Sequence, residues 1–331
     1  MALMHATHEK AGSVGASWPP AYDRHNRRVK GFCPSFIRSD ADLRGMFGET
    51  AAAEREASHS TRTTVRAFVR SGLVEELRRE VGCGSKYGLE AHFDAGNAFP
   101  KHHLAYFGCN HPLRMPDAGV LQNELGSVSE VRRLERACRA GAMERVAGAG
   151  YTIGRLNGDG KREVPRLLEL YREAYQEYTF QMTPETVSGM LSNGNIVIVG
   201  RDREAQVVSA LIAEHAELRI GHGRVAHLYE LSDYATFRAH RGHGLITLMQ
   251  MEAISAIRAL GHGPEAIIYA EDRAAWAAVN RSSQRAGMDY CGTLPQHCVL
   301  VSDRDFGESG RMENLNVWAH IPEPAPRQAG G

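Results

Sequence analysis

The chain has 331 residues, 43% hydrophobic and 24% charged, which supplies enough apolar material for a packed core and excludes wholesale disorder. Lys+Arg and Asp+Glu each total 39, so the formal net charge is zero. That balance argues against a general polyanion binder, and no nucleic-acid partner is expected.

Residues 1–28 mix Gly, Ser, Pro, His and Arg without periodicity and read as a mobile arm. They hold no apolar h-region, and no run approaches the roughly 18 apolar residues of a membrane span. A cytoplasmic protein with no membrane partner is the expectation. Six scattered cysteines without a C-x-x-C read as reduced thiols.

Residues 29–150 read as an N-terminal domain of unassigned role, helical or α/β. Residues 66–81 carry Val69, Leu73, Val74 and Leu77 at helical spacing, and residues 128–147 repeat that pattern. Between them, residues 82–119 read as loop-rich. Cys83, His92, His102, His103, Cys109 and His111 lie in that stretch, but at no common zinc spacing, so no metal is expected. No internal repeat is visible.

From Tyr151 the pattern becomes regular. A strand over 151–156 precedes a helix over 164–178 with Leu167, Leu168, Tyr171, Ala174 and Tyr175 on one face. Thr183-Pro184-Glu185 starts a second helix, with Thr as N-cap and Pro in the first turn, ending near Asn193-Gly194. Strands follow at 196–199, 207–213 and 225–237, then a helix over 245–260. A strand over 266–269, a helix over 274–286 and extended segments at 290–294 and 315–319 complete the series. The order β-α-α-β-β-β-α-β-α-β-β implies an α/β fold, a mixed sheet with helices on its faces, over residues 151–321. Residues 322–331 read as a disordered Pro/Gly tail.

Arg241-Gly242-His243-Gly244-Leu245 lies between a strand and a helix. A Gly-rich turn there exposes backbone N–H groups beside the positive end of the helix dipole, which suits a pyrophosphate. No Lys occurs after Lys161, so a Schiff-base or P-loop lysine is excluded from the second half. The Rossmann G-x-G-x-x-G and the G-x-S-x-G elbow are also absent. His227 alternates with Tyr229 and reads as structural. Cys291 and His297-Cys298 read as packing residues.

Downstream, Asn280 falls in the helix after the next strand, and Gly287-Met288 closes that helix. With these the sequence resembles the GCN5-related N-acetyltransferase (GNAT) superfamily, whose acyl-CoA signature is Arg/Gln-x-x-Gly-x-Gly/Ala. Arg241 and Gly244 match it, while Ile246 stands at the last position. Within the superfamily the chain resembles beta-lysine N6-acetyltransferases. The residues that carry this are Glu230-Leu231-Ser232-Asp233-Tyr234-Ala235-Thr236, Asp272-Arg273-Ala274, Cys291-Gly292-Thr293-Leu294 and Leu315-Asn316-Val317-Trp318. Arg172-Glu173 through Tyr178-Thr179-Phe180 echoes a further stretch. The match spans about residues 151–320.

The resemblance implies a GNAT fold there and acetyl-CoA as co-substrate, with direct acetyl transfer to a small-molecule amine such as beta-lysine. It implies cofactor binding by Ala235, Thr236, Arg241, Gly242, His243, Gly244, Leu245, Ile246, Asn280 and Ser283. Glu230 and Asp233 are the expected catalytic carboxylates. They lie three apart, on opposite faces of a regular strand, unless a bulge brings them into one cleft. Tyr178, Phe180 and Arg273 are the expected acceptor-binding residues. The superfamily's leaving-group acid is a Tyr where this chain has Ser283, so Tyr290, Cys291 and water remain open as proton donors. A non-catalytic acyl-CoA-binding module, a peptide or protein acceptor and a homodimer remain open as alternatives.

Overall fold

The computed structural model describes residues 18, 20–24, 26–79, 86–156, 160–177, 182–192, 194–221, 223–299, 301–302 and 312–321. Residues 1–17 of the expected arm, the tail over 322–331, Cys83, and both Tyr178 and Phe180 lie outside the described residues.

The first half runs β1 (Ala21–Asp23), β2 (Arg28–Ile37), α1 (Asp40–Glu56), β3 (Arg62–Arg70), α2 (Ser71–Arg79), β4 (Gly88–Asp94), β5 (His102–Asn110), α3 (Ala118–Val131) and α4 (Arg139–Gly148). Four expectations change here. The end of the expected arm is strand, because β1 pairs antiparallel with β2. Residues 66–70 close a strand instead of opening a helix, since Val65, Ala67 and Val69 pack on one face while Phe68 packs on the other. Only α2, with Leu73 and Val74 inward, keeps the helical period. The stretch read as loops contains β4 and β5, two strands inside the sheet. The expected helix over 128–147 is two helices, parted at residues 132–138.

The second half runs β6 (Thr152–Arg155), α5 (Val164–Ala174), β7 (Tyr175–Glu177), α6 (Pro184–Met190), β8 (Ile196–Arg201), β9 (Val207–Ile220), β10 (Arg224–Thr236), α7 (Leu245–Arg258), β11 (Ile267–Arg273), α8 (Ala277–Arg285), β12 (Asp289–Val299), β13 (Val301–Ser302) and β14 (Met312–His320). Apart from the short β7–β13 pair, this is the order expected from the sequence. Thr183 caps α6 through a capping box, with Pro184 in its first turn.

Among the described residues, twelve strands form one mixed sheet in the order β1-β2-β3-β5-β4-β12-β14-β11-β10-β9-β8-β6. It crosses residue 150 without a break, through Gly292 of β12 against Ala91 of β4. Gly292 has φ +144, and a Cβ there would run into the Glu90 carbonyl, so only glycine lets the two strands meet.

The sheet contains a repeat of topology. β2-α1-β3-α2-β4-β5 and β10-α7-β11-α8-β12-β14 have the same connectivity and the same strand order, with the first pair parallel and the rest antiparallel. The two helix entries differ in electrostatics. Ser39 and Asp42 close a capping box on α1, with Asp40 also in its first turn, so that entry is already satisfied and acidic. α7 starts from Gly244 with no side-chain cap.

The two halves share a core. Phe32, Phe68, Phe93, Phe99 and Tyr106 pack with Leu218, Leu228, Ile267, Tyr269 and Val317. The first half also returns to the turn between β9 and β10: Gly221 N donates to Pro34 O at 2.8 Å and Arg224 Nη2 to Ala98 O at 2.7 Å. On the opposite face, α3 buries Val128 and Val131 beside Tyr229 and Met249, and α4 buries Ala142 and Val146 beside Leu245 and Leu248. No described helix is long and apolar enough to cross a membrane.

Candidate active site

β10 and β11 pair in parallel through Leu228↔Ile267, Tyr229↔Ile268 and Glu230↔Tyr269, and no further. Beyond that point β10 stays with β9 as far as Thr236↔Ser209, and β11 stays with β14 as far as Arg273↔Leu315. The two strands therefore part into a V with Glu230 at its apex. Past the apex, the β10 edge turned toward β11 has no strand partner, which leaves alternate backbone groups of residues 231–236 for a ligand.

The V is kept open by a bulge. Between Ser232↔Ile212 and Ala235↔Ala210, β10 carries one residue more than β9, and Asp233 takes φ +51. Ser209 Oγ donates to Ala235 O at 2.9 Å and lies 2.7 Å from Thr236 Oγ1, which fixes the bulged segment. Tyr175 Oη donates to Tyr234 O at 2.7 Å.

The glycine turn follows at the mouth of the V. Gly242 and Gly244 have φ of +87 and +79, which β-carbon-bearing residues adopt only with strain. A Cβ at either would meet nothing within 4 Å, so the space in front of this backbone is open. Arg241 Nε donates to Thr236 O at 2.9 Å, tying the turn to the bulged strand. The His243 ring lies 5.1 Å from that of Tyr151. Leu245 is buried against α4, and Ile246 packs against the core under α7, so both anchor the first turn of the helix. The first amides of α7 have no side-chain cap and sit at the positive end of a 14-residue helix, a fit for the phosphates of coenzyme A.

At the apex, Glu230 Oε2 accepts from Tyr269 Oη at 3.0 Å, and Arg66 Nη1 donates to the same hydroxyl at 2.9 Å. Arg66 also lies 3.6 Å from Glu271. Glu214 stands directly opposite Glu230 on β9 and accepts from Ser232 Oγ at 3.1 Å. Burial raises both carboxyls above the usual range, with Glu271 adding to the shift of Glu230 and Glu230 to that of Glu214. Burial and the neighbouring Arg28 push the Lys30 ammonium down. Lys30, Glu214 and Glu230 are thus surrounded by protein, yet each keeps some accessible surface, as residues lining an internal cleft do.

Asp233 is buried, which raises its pKa to about 7. Tyr171 of α5 feels both Asp233 and Glu214, so the bulge sets Asp233 on the face that carries Glu214 and Glu230. A regular strand would have put it on the other.

The remaining site residues are held inside the protein. Asn280 Nδ2 donates to the carbonyls of Arg273 and Trp276 at 2.8 and 2.9 Å, and its Oδ1 accepts from Asn316 Nδ2 and Trp318 Nε1 at 2.8 and 2.9 Å. Four bonds occupy the amide, so Asn280 braces α8 against β11 and β14 instead of offering a donor to pantetheine. Asn280→Ala should therefore cost about 2–4 kcal/mol by orphaning two buried donors, read as a lower midpoint in denaturant. A direct pantetheine bond would instead weaken acetyl-CoA binding with stability unchanged. Ser283, fully buried, donates to Asp272 Oδ2 at 2.5 Å and accepts from Gln250 Nε2 at 2.9 Å. Arg273 forms an ion pair with Glu313 at 3.1 Å and lies over the Trp276 ring at 5.4 Å.

Lys30 and Arg66 from the first half, with Glu214 and Glu271, were not legible as site residues in the sequence. Lys30, Arg66 and Glu271 sit on strands whose partners across the cleft are remote in sequence. Cross-strand placement of Glu214 opposite Glu230 was the one signal, and it needs the register of β9 on β10.

No protein-family model matches the chain, and no curated protein sequence matches it. Solved structures are similar to it. They include NAA60 of Arabidopsis thaliana in complex with a bisubstrate analogue, at 11% identity over 52% of this chain and 99% of that one, with a TM-score of 0.41. A ribosomal-protein-alanine N-acetyltransferase from Brucella melitensis gives 24% identity over 52% and 99%, with a TM-score of 0.39. A putative acetyltransferase, yncA, from Salmonella typhimurium with acetyl-CoA gives 17% over 55% and 99%, with a TM-score of 0.41. At this level of likeness the functional reading rests on the geometry of the V itself.

Proposed function

We propose that the chain is an acetyl-CoA-dependent N-acetyltransferase of GNAT type, acting on a small primary amine by direct transfer. The observation that carries this is the coincidence of three features at one place. The strands part at Glu230, the uncapped glycine turn stands at the mouth of the opening, and a buried carboxyl of raised pKa sits at its apex.

When bound, acetyl-CoA supplies the acetyl group as a thioester. The first amides of α7 and the backbone of Gly242–Gly244 hold its phosphates, while residues 235–236 offer backbone donors to the thioester arm and carbonyl. An alkylammonium has a pKa of about 10.4, so the acceptor nitrogen must lose a proton before it attacks. Glu230 takes that proton, with Tyr269 holding the carboxylate in place. Asp233 lies on the same face, within the same cleft, as a second acid.

A small acceptor is favoured because Glu230 faces a cleft with walls from both halves. Glu214, Glu230 and Glu271 face Lys30 and Arg66 there, so the cleft offers carboxyls to an ammonium group and cations to a carboxylate. An acceptor that carries both kinds of group can pair with both sides, whereas a charge buried unpaired is costly. A diamino acid such as beta-lysine meets this requirement. Lys30 and Arg66 then face its carboxylate, because Arg273 is already paired with Glu313.

Free-thiol release with acetyl-CoA, measured across diamines, diamino acids, monoamines and short peptides, tests the proposal. Turnover should be greatest for diamino acids of net charge +1. Turnover only on peptides would overturn the small-acceptor reading, and acetyl-CoA binding with no turnover on any amine would favour a regulatory module.

A further inference from the structure

We propose that His215, His227 and His262 form a transition-metal site of the class that takes Zn²⁺. It lies on the face of the sheet that carries α7, opposite the face of Glu214 and Glu230. Side chains alternate along a strand, so His215 and Tyr229, paired across β9 and β10, and His227 and Glu217, paired two steps on, all point to that face. His262 reaches the same spot from the turn just after α7. Among the described residues this is the group of three metal-ligating side chains whose ligand atoms all lie within 4.8 Å of one another.

The distances suit an ion. Ligand nitrogens about 2.0–2.1 Å from a tetrahedral Zn²⁺ stand about 3.3 Å apart. His215 Nε2 and His227 Nδ1 are already 3.2 Å apart. The three rings stack nearly parallel, His262 on His227 with centroids 3.8 Å apart and planes at 15°, so their in-plane lone pairs do not converge as they stand. A turn about the χ2 of His262, a broad and soft torsion in histidine, brings the third nitrogen toward the other two. Glu217 Oε1 lies 3.6 Å from His227 Nδ1, with its side chain 62% exposed, and is free to swing in as a fourth, anionic ligand. Tyr229 Oη lies 2.9 Å from His262 Nε2 and serves to orient that ring, as outer partners of ligating histidines do.

The ligand chemistry selects the ion. Three imidazoles with at most one carboxylate favour Zn²⁺ and its late first-row neighbours over Mg²⁺ or Ca²⁺, which prefer all-oxygen shells. The bound ion would clip the end of α7, through His262, to β9 and β10. It is a structural clip and plays no part in acetyl transfer.

The test is calorimetric titration of chelator-treated full-length protein with ZnCl₂, alongside thermal denaturation and Co²⁺ absorption. One equivalent of Zn²⁺ should bind and raise Tm, as a ligand of the folded state must, while MgCl₂ should do neither. His227→Gln and His262→Gln, which keep polar side chains of similar size, should each weaken Zn²⁺ binding by about 10-fold or more. Both should lose the intense Co²⁺ bands of a tetrahedral site, and His59→Ala should change nothing. Absence of stoichiometric Zn²⁺ binding, or binding of equal strength in wild type and both glutamine variants with native circular dichroism, overturns the proposal.

Discussion

Glu230→Gln should lower kcat by about 10²-fold or more, the usual size of a general-base contribution, while acetyl-CoA binding hardly changes. The amide is isosteric and still accepts from Tyr269 Oη, so the apex of the V and the fold survive. What disappears is the ability to hold the acceptor's proton. The pH profile carries the same information. Burial and Glu271 raise the Glu230 pKa, and the carboxylate is the active form, so kcat should climb with rising pH through that raised value and then level off. The limb should vanish in the Gln variant. Steady-state kinetics with a net +1 diamino acid, from about pH 5 to pH 9, would decide. Activity within a few-fold of wild type would transfer the role to Asp233, whose pKa of about 7 suits it to the same work.

Gly244→Val should abolish the rise in Tm that acetyl-CoA gives the wild-type protein. At φ +79 a β-branched residue costs about 1–2 kcal/mol, so the apo variant should melt a few degrees lower and keep its circular dichroism. The protein itself has room for the side chain, since a Cβ there touches nothing within 4 Å. Loss of the ligand shift therefore reports on what occupies that space when bound. Bulk in front of the amides of α7 would hold a pyrophosphate away from the dipole that attracts it. An undiminished shift in thermal denaturation with acetyl-CoA would refute the phosphate site and, with it, the placement of acetyl-CoA in the V.

The second half of the chain was readable because its signals are local. A capping residue with proline, Thr183-Pro184, starts a helix by accepting from the Thr186 amide, and the glycines at 242 and 244 mark a turn because glycine adopts positive φ freely. Apolar residues at helical spacing commit α5 to one buried face. The order of elements follows from such signals, and so does the glycine entry to α7.

In the first half, local pattern and burial part company. β3 mixes arginines with apolar residues, which suggests an amphipathic helix, yet Arg62 and Arg66 are buried because Glu90, Glu271 and Tyr269 meet them from distant strands. β4 and β5 are rich in Gly, His and aromatics and look like loops until the sheet pairs them. The topological repeat leaves no trace in sequence, because connectivity can be kept while every side chain changes.

The amino-acid sequence by itself determined the helix starts, the glycine turn and the carboxylates available to the second half, since each depends on a few neighbouring residues. Only the tertiary structure decided which groups meet. The bulge that turns Asp233 to the face of Glu230, the register that sets Glu214 opposite it, and the curl that brings Lys30 and Arg66 to the same cleft are all non-local. So is the meeting of His215, His227 and His262. Their partners are separated by tens to hundreds of residues, and the free energy that unites them comes from burying the shared core, which no local pattern encodes.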